Sequence, residues 1–322
     1  MTAMRELRLQ AAKQTVFGTG VTPTVLLRGV EDAKFTAARE MEVREDLAIA
    51  LAGGDTAMLY ALSAAGSVSG WASYEHICYW LDNLLGEATP GAGPGYARAY
   101  AAPIATAPTR RILSLVYGDG SVGAYQMIGA LCNAMTLRFE AKKALEFNAD
   151  LVGVGLAADT LEALAIPTVN PIMATHLDAI KMDSWAGTMG TTTLAACTLR
   201  SAELSIDAPA SLRHCFGSLS PSTYVEMPYD GSLKLVLEWN ATSKAVVDEL
   251  IAGTSQRQVQ LTATSSSKIF QVQFAGSIED DVDIFDDDDG VVTASLTLKR
   301  TYHSTFANWL KINVTNGVSA LT

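Results

Sequence analysis

The pattern nearest to a chemical site is Gly153-Val154-Gly155-Leu156-Ala157-Ala158, with Asp178 about 20 residues on. It fits the relaxed fingerprint G-x-G-x-x-A, in which a tight turn brings backbone amides against a dinucleotide pyrophosphate and a later acid meets the ribose. That chemistry needs a parallel βαβ unit around the glycines. The flanking sequence lacks alternating strand and helix, and the run before the glycines reads as an antiparallel hairpin. A loop or strand end is the better reading, with a nucleotide-dependent enzyme as the alternative. Other catalytic patterns fail on spacing. Gly66-Ser67-Val68-Ser69-Gly70 is not the G-x-S-x-G elbow, and neither a Walker A sequence nor H-E-x-x-H occurs. His76, His176, His214 and His303 are widely separated. His214 and Cys215 are adjacent, so a strand would point them to opposite faces. Cys78, Cys132, Cys197 and Cys215 form no C-x-x-C pair, which reads as buried thiols of a reducing cytoplasm rather than a zinc or redox site. No catalytic residue, cofactor or metal is expected.

The densest charge is Glu279, Asp280, Asp281, Asp283 and Asp286, Asp287, Asp288, Asp289, closed by Gly290. Phe285 stands where a calcium loop would need an acid. The run therefore reads as a solvated acidic loop between two strands, with weak calcium binding or repulsion of a passing polyanion as alternatives. The whole chain agrees in sign, with a formal net charge of −11 over 322 residues. Such a chain cannot neutralise phosphates broadly.

The elements that must position these residues are mostly strands. Phe35, Met41 and Val43 lie among charged neighbours in residues 34–45. Residues 58–72 are apolar and small up to Trp71. Ser73 then caps a short helix closed by Gly86, with Ile77, Trp80, Leu81, Leu84 and Leu85 on one face. Residues 87–108 carry seven glycines and prolines and read as a long loop. A hairpin follows through Leu113, Leu115 and the Asp119-Gly120 turn. Met135, Leu137 and Phe139 alternate with Thr136 and Arg138. Residues 156–192 read as a junction containing a short helix over Leu156–Leu164. Beyond it Leu204 and Ile206 alternate, as do Leu233, Leu235, Leu237 and Trp239. Asn240 or Ser243 caps a helix bearing Val246, Val247, Leu250 and Ile251, closed by Gly253, and four more strands follow. Hydrophobic residues are 49% of the chain and no run of 18 apolar residues occurs.

Strand, tryptophan, short helix, glycine thus occurs twice, at Trp71–Gly86 and Trp239–Gly253. The expected fold is mainly β: two tandem antiparallel β-sandwich or β-barrel units, each with a short flanking helix. The boundaries fall at 1–30 for an N-terminal arm, 31–190 for the first unit and 191–322 for the second. The arm is apolar yet irregular, either docking on a neighbour or forming a local loop under the core.

That arm, Lys13-Gln14-Thr15-Val16-Phe17-Gly18-Thr19-Gly20-Val21-Thr22-Pro23-Thr24, resembles the N-terminal signature of siphophage tail tube proteins. Gly129–Asp150, the strand after Cys197 and Gly231–Gly253 are similar in order of elements. The resemblance implies a structural virion subunit without catalytic residues. Its tube domain packs two β-sheets and a helix, and six domains close a ring. A chain with two such domains closes the ring as a trimer, and a chain with one as a hexamer. Rings stack into the conduit for genome ejection. The implied partners are the chain itself, tail tip and tail terminator proteins, and a tape measure protein and viral DNA that traverse the lumen without specific binding. The implied place is the virion tail, assembled in the bacterial cytoplasm. The 13–30 arm, the 87–108 loop and the 156–192 junction are the candidates to bridge successive rings, with Phe17, Gly18, Thr19 and Pro23 as the candidate assembly contacts of the arm and Asp286 to Asp289 as the candidate acidic loop. The chain departs from the pattern in its long junction and in its glycine- and proline-rich loop. A baseplate or capsid-associated module is the other structural reading.

Overall fold

Alternation of apolar and polar residues along long strands governs the architecture, because a strand sends successive side chains to opposite faces. The computed structural model describes residues 7–44, 56–93, 95–178, 180–195, 198–253, 255–278, 282–288 and 290–321. Pro94, Cys197, Glu279, Asp280, Asp281 and Asp289 lie outside the described residues. The first half contains β1 (Arg8–Lys13), β2 (Val25–Leu27), β3 (Val30–Arg44), β4 (Thr56–Trp71), α1 (Ile77–Leu85), β5 (Ala97–Ala101), β6 (Leu113–Asp119), β7 (Gly123–Glu140), β8 (Glu146–Gly153) and β9 (Gly155–Asp159). The second contains β10 (Lys181–Ser184), β11 (Leu199–Asp207), β12 (Ala210–Arg213), β13 (Thr223–Glu226), β14 (Asp230–Glu238), α2 (Ala241–Ile251), β15 (Gln256–Ser265), β16 (Lys268–Ile278), β17 (Asp283–Asp288), β18 (Val291–Arg300) and β19 (Leu310–Thr315). The fold is mainly β and its ladders are antiparallel.

One pairing scheme occurs twice. In the first half β3–β4–β8–β7 are neighbours, and β1–β6–β7–β9 form a second layer. In the second half β11–β14–β18–β17 match the first set, and β10–β15–β16–β19 match the second. The long bent β7 spans both layers. Its counterpart is β16 followed by β17, which run in succession along one edge of β18. Details repeat as well. A β-bulge interrupts β3 between Val30 and Asp32, and another interrupts β11 between Leu199 and Ser201. The Trp71 N–H donates to the Gly29 carbonyl at 2.8 Å, and the Glu238 N–H to the Thr198 carbonyl at 2.7 Å.

This register refines the sequence-level repeat. Trp71 corresponds to Glu238, and Trp239 to Ala72. The Ala72 and Trp239 amides bond the Leu145 and Val292 carbonyls respectively. The helices occupy matching positions of the repeat but start differently: Asn240 caps α2 directly, whereas Ser73 opens the turn that leads into α1, whose own N-cap His76 makes no side-chain cap bond. The Ser73 hydroxyl accepts from the His76 N–H at 3.2 Å, and the Asn240 side chain accepts from Thr242 and Ser243 at 2.8 and 3.0 Å. Gly86 and Gly253, with φ of 104° and 96°, end the two helices in a backbone region that favours glycine.

Three expectations are corrected. The 87–108 segment holds a strand, β5, which crosses to pair with β19 of the other half. Tyr100 and Arg98 of β5 are buried there, and the Arg98 guanidinium donates to Asn316 Oδ1 at 3.1 Å. Leu156–Leu164 is not helical. Residues 155–159 form β9 against β7, because β7 extends past β8 and leaves an edge that a helix could not satisfy. Asp283–Asp288 of the acidic run is a strand, β17, hydrogen-bonded to β18 rather than a loop.

The helices differ in environment. All nine residues of α1 are buried, not just one face. Asn83 alone serves three backbone groups: its amide donates to the Arg111 and Ala130 carbonyls at 2.5 and 2.9 Å, and its carbonyl accepts from Cys132 N–H at 2.5 Å. Asp82 pairs with Arg111 at 2.9 Å and accepts from Tyr100 Oη at 2.8 Å. Burial still pushes its carboxyl above the usual range, against the Tyr100 and Arg111 contacts. On α2 only Ser243 and Val247 are buried, and Ile251 is 75% exposed. One continuous core joins both halves, with Trp80 on Phe147 and Phe139 on Phe270.

Asn83→Ala leaves three buried backbone groups unpaired, at about 1–3 kcal/mol each and less than additive. It should lower stability by roughly 3 kcal/mol in denaturant unfolding. A loss below half that would show that water replaces the side chain.

Candidate functional site

The two halves meet strand to strand. β7 and β11 pair from Glu140 opposite Ser201 to Ala134 opposite Asp207. This join merges two four-stranded sets into one eight-stranded sheet in the order β3, β4, β8, β7, β11, β14, β18, β17. Its two faces differ completely. On one, Val68, Phe147, Leu137, Leu204, Leu235 and Leu296 are buried in the core. On the other, apart from Val152 and Val236, alternate residues are small or polar: Ser67 and Ser69, Asn148 and Asp150, Thr136, Glu203 and Ser205, Ser232, Ser295 and Thr297.

Charges on the polar face are placed in rows. Glu146, Arg138, Glu203 and Lys234 lie directly opposite one another on successive strands, alternating in sign. Opposite charges facing across strands support the ladder. Beyond the uncharged row of Asn148, Thr136, Ser205 and Ser232, a further row sets Asp150, Ala134, Asp207 and Asp230 in sequence. Asp207 is exposed, yet desolvation by its surroundings, then Asp230 and Asp150, push its carboxyl above the usual range. Arg300 Nε meets Asp230 at 2.6 Å, so the acids of this row are only partly balanced.

The sheet has two open borders. Among the described residues β3 pairs only with β4, and β17 only with β18. Every residue of β17 is exposed. Asp288 meets Arg200 Nε at 3.3 Å, and Phe285, with φ of 64°, bulges out to pack edge-on against Trp239 at 4.9 Å. Asp286, Asp287 and Asp288 thus occupy a sheet border, and Asp289 is outside the described residues.

The N-terminal candidates lie elsewhere. Phe17, Gly18, Thr19 and Pro23 belong to the connection from β1 to β2, lodged against the same chain. Phe17 packs on Tyr224 at 5.3 Å, Val21 N–H donates to Ser114 Oγ at 3.0 Å, and Gln126 Nε2 to the Val21 carbonyl at 2.9 Å. Pro23 is buried and Thr19 exposed. The glycine pattern at 153–158 crosses from β8 to β9, antiparallel strands that both pair with β7, so no helix N-terminus faces these glycines. Sequence reasoning did not single out the polar face or the β3 border. Their signal was the pairing of each apolar alternation with a Ser, Thr, Asn or charged partner.

A one-sided sheet with a polar face and open borders is a surface that further strands can extend. The family model described as phage tail tube protein matches residues 4–299. The chain belongs to the phage tail tube protein family. No curated protein sequence matches it. This is a family of structural proteins, not of enzymes, and the tail tube chain is accordingly a structural virion component. Among the described residues no helix is long and apolar enough to cross a membrane.

Asp207 holds its proton more tightly in the folded tail tube chain than its ordinary value of 3.8. Its charged form therefore destabilises the fold, and that penalty grows as pH rises through the raised value. Asp207→Asn should raise Tm at pH 7, with the gain fading below about pH 4. A gain independent of pH would assign the effect to something other than this carboxylate.

Proposed function

We propose that three copies of this chain close a ring, that rings stack, and that the polar face of the eight-stranded sheet lines the resulting conduit. The observation that carries this is the repeated pairing scheme. Each chain supplies two equivalent four-stranded sets joined through β7 and β11. Continuing that join between copies satisfies both open borders and closes by cyclic symmetry. Three copies of eight strands give 24 (3 × 8), and at ~4.8 Å per strand with barrel-like tilt the wall is roughly 40–50 Å across. That is wide enough for a DNA duplex. Two tandem tube-like units per chain fit this trimeric, pseudo-sixfold arrangement better than a hexamer of whole chains.

A lumen lined by Ser, Thr and Asn with an excess of carboxylates lets a polyanion pass without sticking, since phosphates find few cations to exchange for their counterions. In this reading DNA and a tape measure protein traverse the lumen during assembly and genome ejection, and tail tip and terminator proteins cap the ends. The 13–24 segment, with Phe17, Gly18, Thr19 and Pro23, is our candidate for contact between rings. Val16 within it is 61% exposed. Assembly would take place in the bacterial cytoplasm, before the tail joins the virion.

Concentrated purified protein should form three-fold or pseudo-sixfold rings and short tubes with an open lumen in negative-stain images. Protein that stays monomeric across concentration and salt would contradict the proposal. Solitary knobs or caps would instead favour a baseplate or capsid-associated role.

A further inference from the structure

The repeat does more than suggest a ring, because it specifies how one copy meets the next. We infer that β17 of one copy pairs antiparallel with β3 of the following copy in the register that β7 and β11 use within the chain, setting Asp286 opposite Lys34. The inference rests on the ring reading above and adds the register and charge code of the junction between chains.

The register follows from pairings already described. Within the chain Glu146 faces Arg138, and Arg138 faces Glu203, which in turn faces Lys234. In the second set Thr293 takes the place of Glu146 and faces Asp286, so Asp286 corresponds to Arg138. On the other border Lys34 faces Ser67, the counterpart of Lys234, so Lys34 corresponds to Glu203. The same mapping sets Asp283 opposite Thr36, as Thr136 lies opposite Ser205.

The charges at the two joins are therefore reversed. Arg138 on the leading strand meets Glu203 inside the chain, and Asp286 on the leading strand meets Lys34 between chains. Both pairs are complementary across the ladder. The reversal also blocks wrong assemblies. Two β17 strands meeting edge to edge would set aspartates against aspartates, so a closed two-fold dimer is disfavoured and only head-to-tail continuation is allowed. It explains how a fully exposed border strand avoids indiscriminate edge pairing. The adjacent position brings Asp288 beside Asp32, and Arg200, already 3.3 Å from Asp288, offsets that acid pair.

Two measurements test the inference on the full chain. Lys34→Asp and Asp286→Lys should each raise the concentration needed for ring formation, read by sedimentation velocity, by roughly fivefold or more. The double exchange should recover the parent value, with circular dichroism checking that all variants fold. Independently, Thr36→Cys with Asp283→Cys in a Cys215→Ser background should give disulfide-linked chains under oxidation. Thr36→Cys with Asp288→Cys, out of register, should not. Rings that form with no response to charge exchange, or that crosslink only out of register, would overturn this junction while leaving the ring reading intact. A parent protein that forms no rings would remove both.

Discussion

Backbone amides and carbonyls along a strand need partners on both sides, and a sheet that ends in open borders leaves two rows of them to water or to another chain. Within this chain one such pair of borders is closed by β7 meeting β11 over seven residue pairs from Glu140–Ser201 to Ala134–Asp207. Everything else about the molecule is arranged around that closure. It fixes the order of the eight strands, aligns the charged row Glu146, Arg138, Glu203 and Lys234, and presses both halves against one core. The borders at β3 and β17 are the same need left unmet.

The asymmetry between the two halves has a physical reading. α1 lies wholly buried because β5, Arg110, Arg111 and the segment after β19 close over it. Arg110 donates to the Cys132 and Ala208 carbonyls at 2.9 and 2.6 Å and meets Glu226 at 2.7 Å. α2, its counterpart in sequence position, has no such cover among the described residues, and only its Ser243 and Val247 are buried. Polar groups buried in this density are costly unless each is satisfied, and here they fix how one half sits on the other.

Much of the fold was legible in the sequence, for identifiable reasons. Alternation in 135–139, 204–206 and 233–237 read correctly as one-sided strands, because those residues face a core on one side and water on the other. Asn240, Gly86 and Gly253 announced the helix ends through local chemistry, and Ser73 marked the turn that leads into α1, whose N-cap is His76. The misses share a cause, since they depend on contacts distant in sequence. Ala97–Ala101 is a strand only because β19, more than 200 residues later, offers an edge. Residues 155–159 are extended only because β7 is long enough to hold them. Asp283–Asp288 has the composition of a loop, and pairing with β18 overrides that propensity. Of the candidate site, the acidic run was seen, whereas its place on a border opposite β3 needed the register of four other strands.

In the proposed ring sister chains complete the two open borders, and hydrogen–deuterium exchange of β3 and β17 amides in dilute monomer and in the assembled form tests this most directly. The outward amides of both strands should exchange fast in the monomer and gain strong, matched protection on assembly, with β7 and β11 protected throughout. Assembled particles in which β3 and β17 exchange as fast as in the monomer would contradict it.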